Sequence, residues 1–292
     1  MEKNITYFPG CLDSQTKIKS HEILERLGFN VSSVSEWNCC GAPPSQYKPD
    51  FFNKVVMPLR NLGISQQKGG NFLYSGCQVC VKHINEAVKI INSDSMFKNQ
   101  ADYSLNPFNA SLKETKPGST GSIHLLDIIT DPDIENVILN NISKNINNDS
   151  ILFYTGCYPN KENINRFKNI LHNLGAKVSL FNECCGGEKL RNATPVHSKR
   201  MENANIIDRF FKLINQKADE TGSDYILSIC SMCEKNINDG IDLSDLNIFA
   251  PVIGLNEFTG FLLGIKGCGD LISGENNIVK DNKTKALQEY CI

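Results

Sequence analysis

The sequence predicts an α/β protein made of two homologous halves, each a small parallel sheet flanked by helices. Strand-like and helix-like segments alternate along the chain, which is the pattern of βαβ units. The alternation occurs twice. Each copy carries the same five cysteines at the ends of its strands, so 10 of the 12 cysteines fall into two matching sets.

The first strand spans Ile5–Phe8 and ends at Gly10-Cys11. A helical pattern through Ile18, Ile23, Leu24 and Leu27 follows and stops at Gly28. In the second copy Ile151–Tyr154 makes the strand, and Ile164, Phe167, Ile170, Leu171 and Leu174 recur at helical spacing up to Gly175. The second strands, Val31–Val34 and Val178–Phe181, run into Cys39-Cys40-Gly41 and Cys184-Cys185-Gly186. A helix comes next in each half, and in the second it sets Val196, Ala204, Ile207, Phe211 and Ile214 on one face. Third strands, Asn71–Tyr74 and Tyr225–Ile229, lead into Cys77-Gln-Val-Cys80 and Cys230-Ser-Met-Cys233. The stretch from Asn92 to Ser122 has no sustained period and reads as a long surface loop, whereas Phe249–Leu263 reads as a strand and a buried helix. The cysteines thus sit at strand ends, in the crevice where open α/β sheets place their sites.

The repeat extends beyond the cysteines. Tyr7-Phe8-Pro9-Gly10-Cys11 matches Phe153-Tyr154-Thr155-Gly156-Cys157, at an offset of about 146 residues. The offset grows to 153 at the CxxC pairs, so the second copy carries an insertion of roughly eight residues before its CxxC. The expected modules are residues 1–146, including the loop 92–122, and residues 147–265, with a polar tail over 266–292. Ser143–Ser150 marks the boundary.

A net charge of −2 implies no basic face, so nucleic acid is not an expected partner. The first residues show no secretory signal and no apolar run approaches the ~20 residues of a bilayer span, which predicts a cytoplasmic protein. Reduced thiolates are the rule in that compartment.

Clusters of soft thiolates at fixed spacing suit zinc or iron–sulfur centres. A CxxC pair alone serves zinc or thiol–disulfide exchange, and the vicinal pair is what discriminates. Mononuclear zinc takes four ligands, leaving one of five thiolates in surplus, whereas a polynuclear centre can use both neighbours. Gly41 and Gly186 provide the tight turn that presents adjacent side chains to one group. Zinc in both halves, or zinc in one and a cluster in the other, are the alternatives. Cys268 and Cys291 have no counterpart in the other half and are expected bystanders, and His83 is expected on a helix surface.

At these residues, including Trp37-Asn38-Cys39-Cys40-Gly41 and Leu255–Gly264, the chain resembles the heterodisulfide reductase subunit that carries tandem CCG modules. The resemblance implies a pseudo-two-fold pair of modules. Each would hold a noncubane four-iron–four-sulfur cluster, on Cys11, Cys39, Cys40, Cys77 and Cys80 and on Cys157, Cys184, Cys185, Cys230 and Cys233. It implies a catalytic subunit reducing a disulfide, of the coenzyme M–coenzyme B type, between the clusters. A ferredoxin-like iron–sulfur subunit would deliver electrons, because this chain lacks the cysteine run that binds ordinary cubane clusters, and a flavoprotein subunit would complete the complex.

The gaps of 27 and 26 residues before the vicinal cysteines are shorter than is typical of that reductase, and the gap of 44 in the second half is longer. Such spacing also occurs in anchor-like subunits of succinate dehydrogenases and in subunits of lactate and glycolate oxidation. An electron-transfer subunit that meets the membrane only through its partners is therefore the second reading, with Phe258–Leu263 as its candidate docking face. Lys189, Arg191 and His197, with Arg200, are the candidates for the substrate side of the second module. Their plainer reading is a solvated loop and a polar helix face.

Overall fold

The computed structural model describes residues 4–10, 20–33, 36–70, 72–112, 120–185, 197–243, 250–269 and 272, and the side chains of all of these except 46–47, 197–208 and 239–243. The chain forms two compact units, Met1–Ile134 and Glu135–Ile292. Each contains one four-stranded parallel sheet with helices packed around it, as the alternation of the sequence requires.

In the first unit β1 (Asn4–Tyr7), β2 (Asn30–Ser33), β3 (Phe72–Tyr74) and β4 (Gly121–Ile123) lie in the order β2-β1-β3-β4. Register runs from Asn4↔Asn30 to Tyr7↔Ser33 and from Phe72↔Gly121 to Tyr74↔Ile123. The connections contain α1 (Ser20–Arg26), α2 (Ala42–Tyr47), α3 (Met57–Gln67), α4 (Gln78–Ser93) and α5 (Ser95–Leu105). A π-helical turn, Phe52–Val56, leads into α3. After β4 comes α6 (Leu125–Ile129), and α7 (Pro132–Asn141) follows with most of its residues in the second unit.

The second unit repeats the plan with β5 (Ser150–Tyr154), β6 (Lys177–Phe181), β7 (Tyr225–Ser228) and β8 (Val252–Gly254), in the order β6-β5-β7-β8. Its helices are α8 (Lys161–Asn173), α9 (His197–Glu220), α10 (Ser231–Leu243) and α11 (Leu255–Leu262). β5 is buried at all four residues from Ile151 to Tyr154, as a central parallel strand covered on both faces must be.

Helix α8 shows how local sequence sets these elements. Asn160 caps it by accepting from the Glu162 and Asn163 amides, at 3.1 and 3.2 Å. Ile164, Phe167, Ile170 and Leu171 recur at helical spacing and are buried. Gly175 ends the helix, its amide donating to the His172 carbonyl while Ala176 donates to Leu171.

The segment 92–122 is not one long loop. Asp94 caps α5 by accepting from the Met96 amide at 2.8 Å, and β4 closes the stretch. Only Ala101 and Leu105 of α5 are fully buried, so its apolar stripe is too thin to register against a polar background. The three residues of β4 are too short to show alternation. Ser143–Ser150 lies inside the second unit, where Ile146 is buried and the Ser143 amide donates to Leu262 at 2.8 Å. Phe258, Phe261, Leu262 and Leu263 are core residues, so the stretch expected to offer a docking face is spent on the interior of its own unit.

Truncation should rank these contributions. Leu171→Ala removes a fully buried side chain and should cost about 2–5 kcal/mol. Asn160→Ala, which removes the cap, should cost about 1 kcal/mol. Urea unfolding of the full chain followed by far-UV circular dichroism measures both.

Candidate metal centres

The strand order decides where the cysteines go. β1 and β5 each have β2 or β6 on one side and β3 or β7 on the other, so successive crossovers leave in opposite directions and a crevice opens at the carboxyl ends. Gly156 and Cys157 follow β5 at that edge. Cys77 and Cys80 follow β3, and Cys230 and Cys233 follow β7. In both units the CxxC pair straddles a helix start: Cys77 precedes α4 and Cys80 is its third residue, and Cys230 and Cys233 stand likewise to α10. The positive end of a helix favours negative charge on sulfur.

In the first unit Cys40, Cys77 and Cys80 are buried and Cys39 is half-buried. Cys39 and Cys80 both donate hydrogen bonds to the Cys40 sulfur. These two, aided by the Ala42 amide and the charge of His83, hold Cys40 below the ordinary thiol value against its burial. Cys80 is pushed up, first by its bond to Cys40, then by Cys77 and by burial. Cys11 lies outside the described residues, but a Cβ on Gly10 would stand 3.8 Å from Cys80 Sγ, which brings the end of β1 to this group.

In the second unit Cys185, Cys230 and Cys233 are buried while Cys157 and Cys184 reach solvent. Cys185 Sγ and Cys233 Sγ are 3.4 Å apart, and the Asn236 amide donates to Cys185 Sγ at 3.5 Å. The bonds to Cys185 and Cys230, followed by burial, push Cys233 up. Tyr154 closes this pocket, and burial, with Cys233 and Cys185 beside it, keeps its phenol protonated. Gly186, Lys189 and Arg191 lie outside the described residues. His197 begins α9, and its side chain, like that of Arg200, is not among those described.

The vicinal cysteines are held in place by polar contacts that the motif itself does not contain. Asn61, fully buried, accepts from the Asn38 amide at 3.0 Å and donates to the Asn38 carbonyl at 2.9 Å. Asn38 in turn donates to the carbonyls of Cys39 and Met57, at 2.7 and 2.9 Å. Arg60 Nη1 binds the Glu36 carbonyl and Asn38 Oδ1, at 2.7 and 2.9 Å. Gly41 has φ +85°, and any Cβ there would run into the Asn53 carbonyl oxygen, so only glycine makes this turn. His83 is not simply on a helix surface. It is half-buried beside Gly41, with Nε2 3.2 Å from the Asn53 carbonyl.

The residues present fit a thiolate-bound metal group: in each unit three buried sulfurs, all soft donors, come from the vicinal pair and the CxxC pair to one place. Among the described residues no group of three or more His, Cys, Asp or Glu is arranged to hold a metal ion as it stands. Cys268 is half-buried, and Cys291 lies outside the described residues. A cleft of about 360 Å³ in the first unit went unseen in the sequence. Trp37, Asn38, Phe52, Met57, Arg60 and Phe108 are among the residues that line it, and Asn38 immediately precedes the vicinal pair in the sequence. Its one legible signal was Trp37, the single tryptophan, two residues before Cys39.

The sequence pattern of the family described as "CCG: Cysteine-rich domain" matches residues 5–85 and 151–238. The chain belongs to this family, in two tandem copies. Each CCG match ends within the helix that follows a CxxC pair, so it takes in all five cysteines of its half. The chain is 25% identical over 288 residues to the 8-methylmenaquinol:fumarate reductase membrane anchor subunit of Wolinella succinogenes, covering 91% of this chain and 94% of that one. In fold it is similar to a hypothetical protein from Helicobacter pylori, with a TM-score of 0.64 and 12% identity over 93% of this chain. The chain spans about half, 51%, of the length of that protein. No helix among the described residues is long and apolar enough to cross a membrane.

The metal-free protein offers a direct check on the second CCG module. Cys157 reaches solvent, yet its thiol is pushed up to about 11, first by burial and then by Cys230, Cys184 and Cys185. A raised value keeps the thiol protonated at neutral pH. Alkylation of Cys157 by iodoacetamide, followed by peptide mass spectrometry, should therefore rise with a midpoint near 11. A midpoint near the ordinary value of about 8.5 would contradict this environment.

Proposed function

We propose that this chain is an electron-transfer subunit of a multi-subunit oxidoreductase, holding one polynuclear iron–sulfur centre in each CCG module. The observation that carries the reading is the duplicated gathering of buried thiols at a sheet switch point, with five cysteines per module in the sequence. Cys11, Cys39, Cys40, Cys77 and Cys80 hold the first centre, and Cys157, Cys184, Cys185, Cys230 and Cys233 the second. Such centres, when bound, store and pass single electrons.

The chain's own residues supply the rest. The starts of α4 and α10 present the CxxC sulfurs of each module together, Asn236 donates to Cys185, and the Asn38–Asn61–Arg60 contacts keep the first vicinal pair in one orientation. Burial of three sulfurs in each module keeps water from them, which strengthens each hydrogen bond made there. The similarity to the Wolinella protein over 94% of its length supports placing the chain in a reductase complex, with the flavin chemistry on a partner and membrane association through partners. The chain itself works on the cytoplasmic side in this reading.

A second reading keeps the heterodisulfide reductase activity on this chain, with a ferredoxin-like iron–sulfur protein as donor. The cleft lined by Asn38, the residue before Cys39, favours it. Its volume falls in the range of small-molecule sites, and its Arg60 guanidinium suits an anionic thiol or disulfide.

Metal analysis after anaerobic reconstitution should find about eight iron atoms per chain and little zinc. Stoichiometric zinc with traces of iron would overturn the cluster reading in both modules. Cys184→Ser and Cys185→Ser should each perturb the second centre and leave the first intact, as judged by iron content and electron paramagnetic resonance. With reduced viologen as donor, the isolated chain should take up electrons yet leave disulfides intact. Viologen-driven cleavage of a disulfide would move the assignment to the second reading.

A further inference from the structure

The two modules are alike in their cysteines and differ in what lies against them. Tyr154, the last residue of β5, is 1% exposed, and its hydroxyl has no hydrogen-bond partner among the described residues. Phe181 and Phe210, each with its ring centroid 5.6 Å from that of Tyr154, hold the phenol in one orientation. A Cβ on Gly156 would stand 3.4 Å from the hydroxyl and 3.3 Å from Cys233 Sγ, so both point into the corner beneath the turn to Cys157. The first module builds the same corner. A Cβ on Gly10 would stand 3.7 Å from the edge of the Phe8 ring and 3.8 Å from Cys80 Sγ. Phe8 therefore occupies the place of Tyr154, in space as in the sequence repeat, and brings no hydroxyl.

Burying a hydroxyl without an acceptor is unfavourable, and a native protein keeps such a group where an acceptor arrives. The sulfurs of Cys233 and Cys185 lie beside this one. We propose that the Tyr154 hydroxyl donates a hydrogen bond to a sulfur of the second module's centre, and so gives that centre a higher reduction potential than the first, where Phe8 has nothing to donate. This rests on the iron–sulfur reading above. Reduction adds one electron, and its negative charge spreads onto the sulfurs. A donor aimed at sulfur stabilises the reduced form more than the oxidised one, and the proton stays on Tyr154 throughout. The second centre is then reduced first and holds its electron longer. Tyr154 acts here as a positioning and tuning residue.

The test is a potentiometric titration of the reconstituted full-length chain, with dithionite as reductant and electron paramagnetic resonance as readout. Cys80→Ser and Cys233→Ser variants assign each signal to a module. Tyr154→Phe keeps the ring and removes only the hydroxyl. It should make reduction of the second centre about tenfold less favourable, a shift of about 59 mV downward for one electron, with the first centre unmoved. The reciprocal Phe8→Tyr should move the first centre upward by a similar factor, and it decides the matter if the Tyr154 variant loads poorly. After exchange into deuterium oxide, pulsed resonance should detect a deuteron coupled to the second centre in the wild type and none from this position in Tyr154→Phe. Iron-loaded variants whose potentials match the wild type would overturn the inference and leave the functional reading standing. Failure of the wild-type chain to bind iron would remove both.

Discussion

Each unit is organised around one close approach, in which the turn leaving the first strand passes against the second sulfur of the CxxC helix. Gly10 meets Cys80 in this way and Gly156 meets Cys233. The approach is possible because all strands are parallel and the first strand is flanked on both sides by later ones, so two crossovers deliver their loops to the same edge. Thiols that are far apart in sequence then share one buried pocket. Any substitution that widened this turn would separate the groups that the fold exists to bring together.

Burial has consequences for the sulfurs. Cys80 and Cys233 are pushed up first by their bonds to neighbouring cysteines and then by burial, and Cys157 first by burial and then by the charges of the cysteines beside it. Cys40 goes the other way because three donors and a nearby histidine charge outweigh its burial. The pocket thus favours a bound group that accepts thiolates together over thiolates standing alone, and metal loading should release protons. The polar contacts around Asn38 and Asn61 add rigidity where a Cys-Cys-Gly turn by itself would have many conformations.

The family membership and the similarity to a fumarate reductase anchor protein speak to different levels. The cysteine pattern defines the module. The match over nearly the whole of the Wolinella protein extends to the parts that lie between and beyond the two CCG modules.

The sequence by itself determined the duplication, the parallel α/β class and the ten cysteines, because these are carried by strong local signals: apolar runs, helix-stopping glycines and fixed spacings. Short or thinly apolar elements were not legible in it. β4 has three residues, and α5 hides behind a polar surface, so neither leaves a period long enough to read. Tertiary structure alone decided the environment of the sulfurs. No local pattern could reveal that Asn61 braces Asn38, that His83 lies against the Gly41 turn, that Trp37 and Arg60 share a cleft, or that the Tyr154 hydroxyl is buried beside Cys185 and Cys233. Those relations join residues far apart in sequence, some within the long β2–β3 connection and others from different connections, and only the folded chain brings them within contact distance.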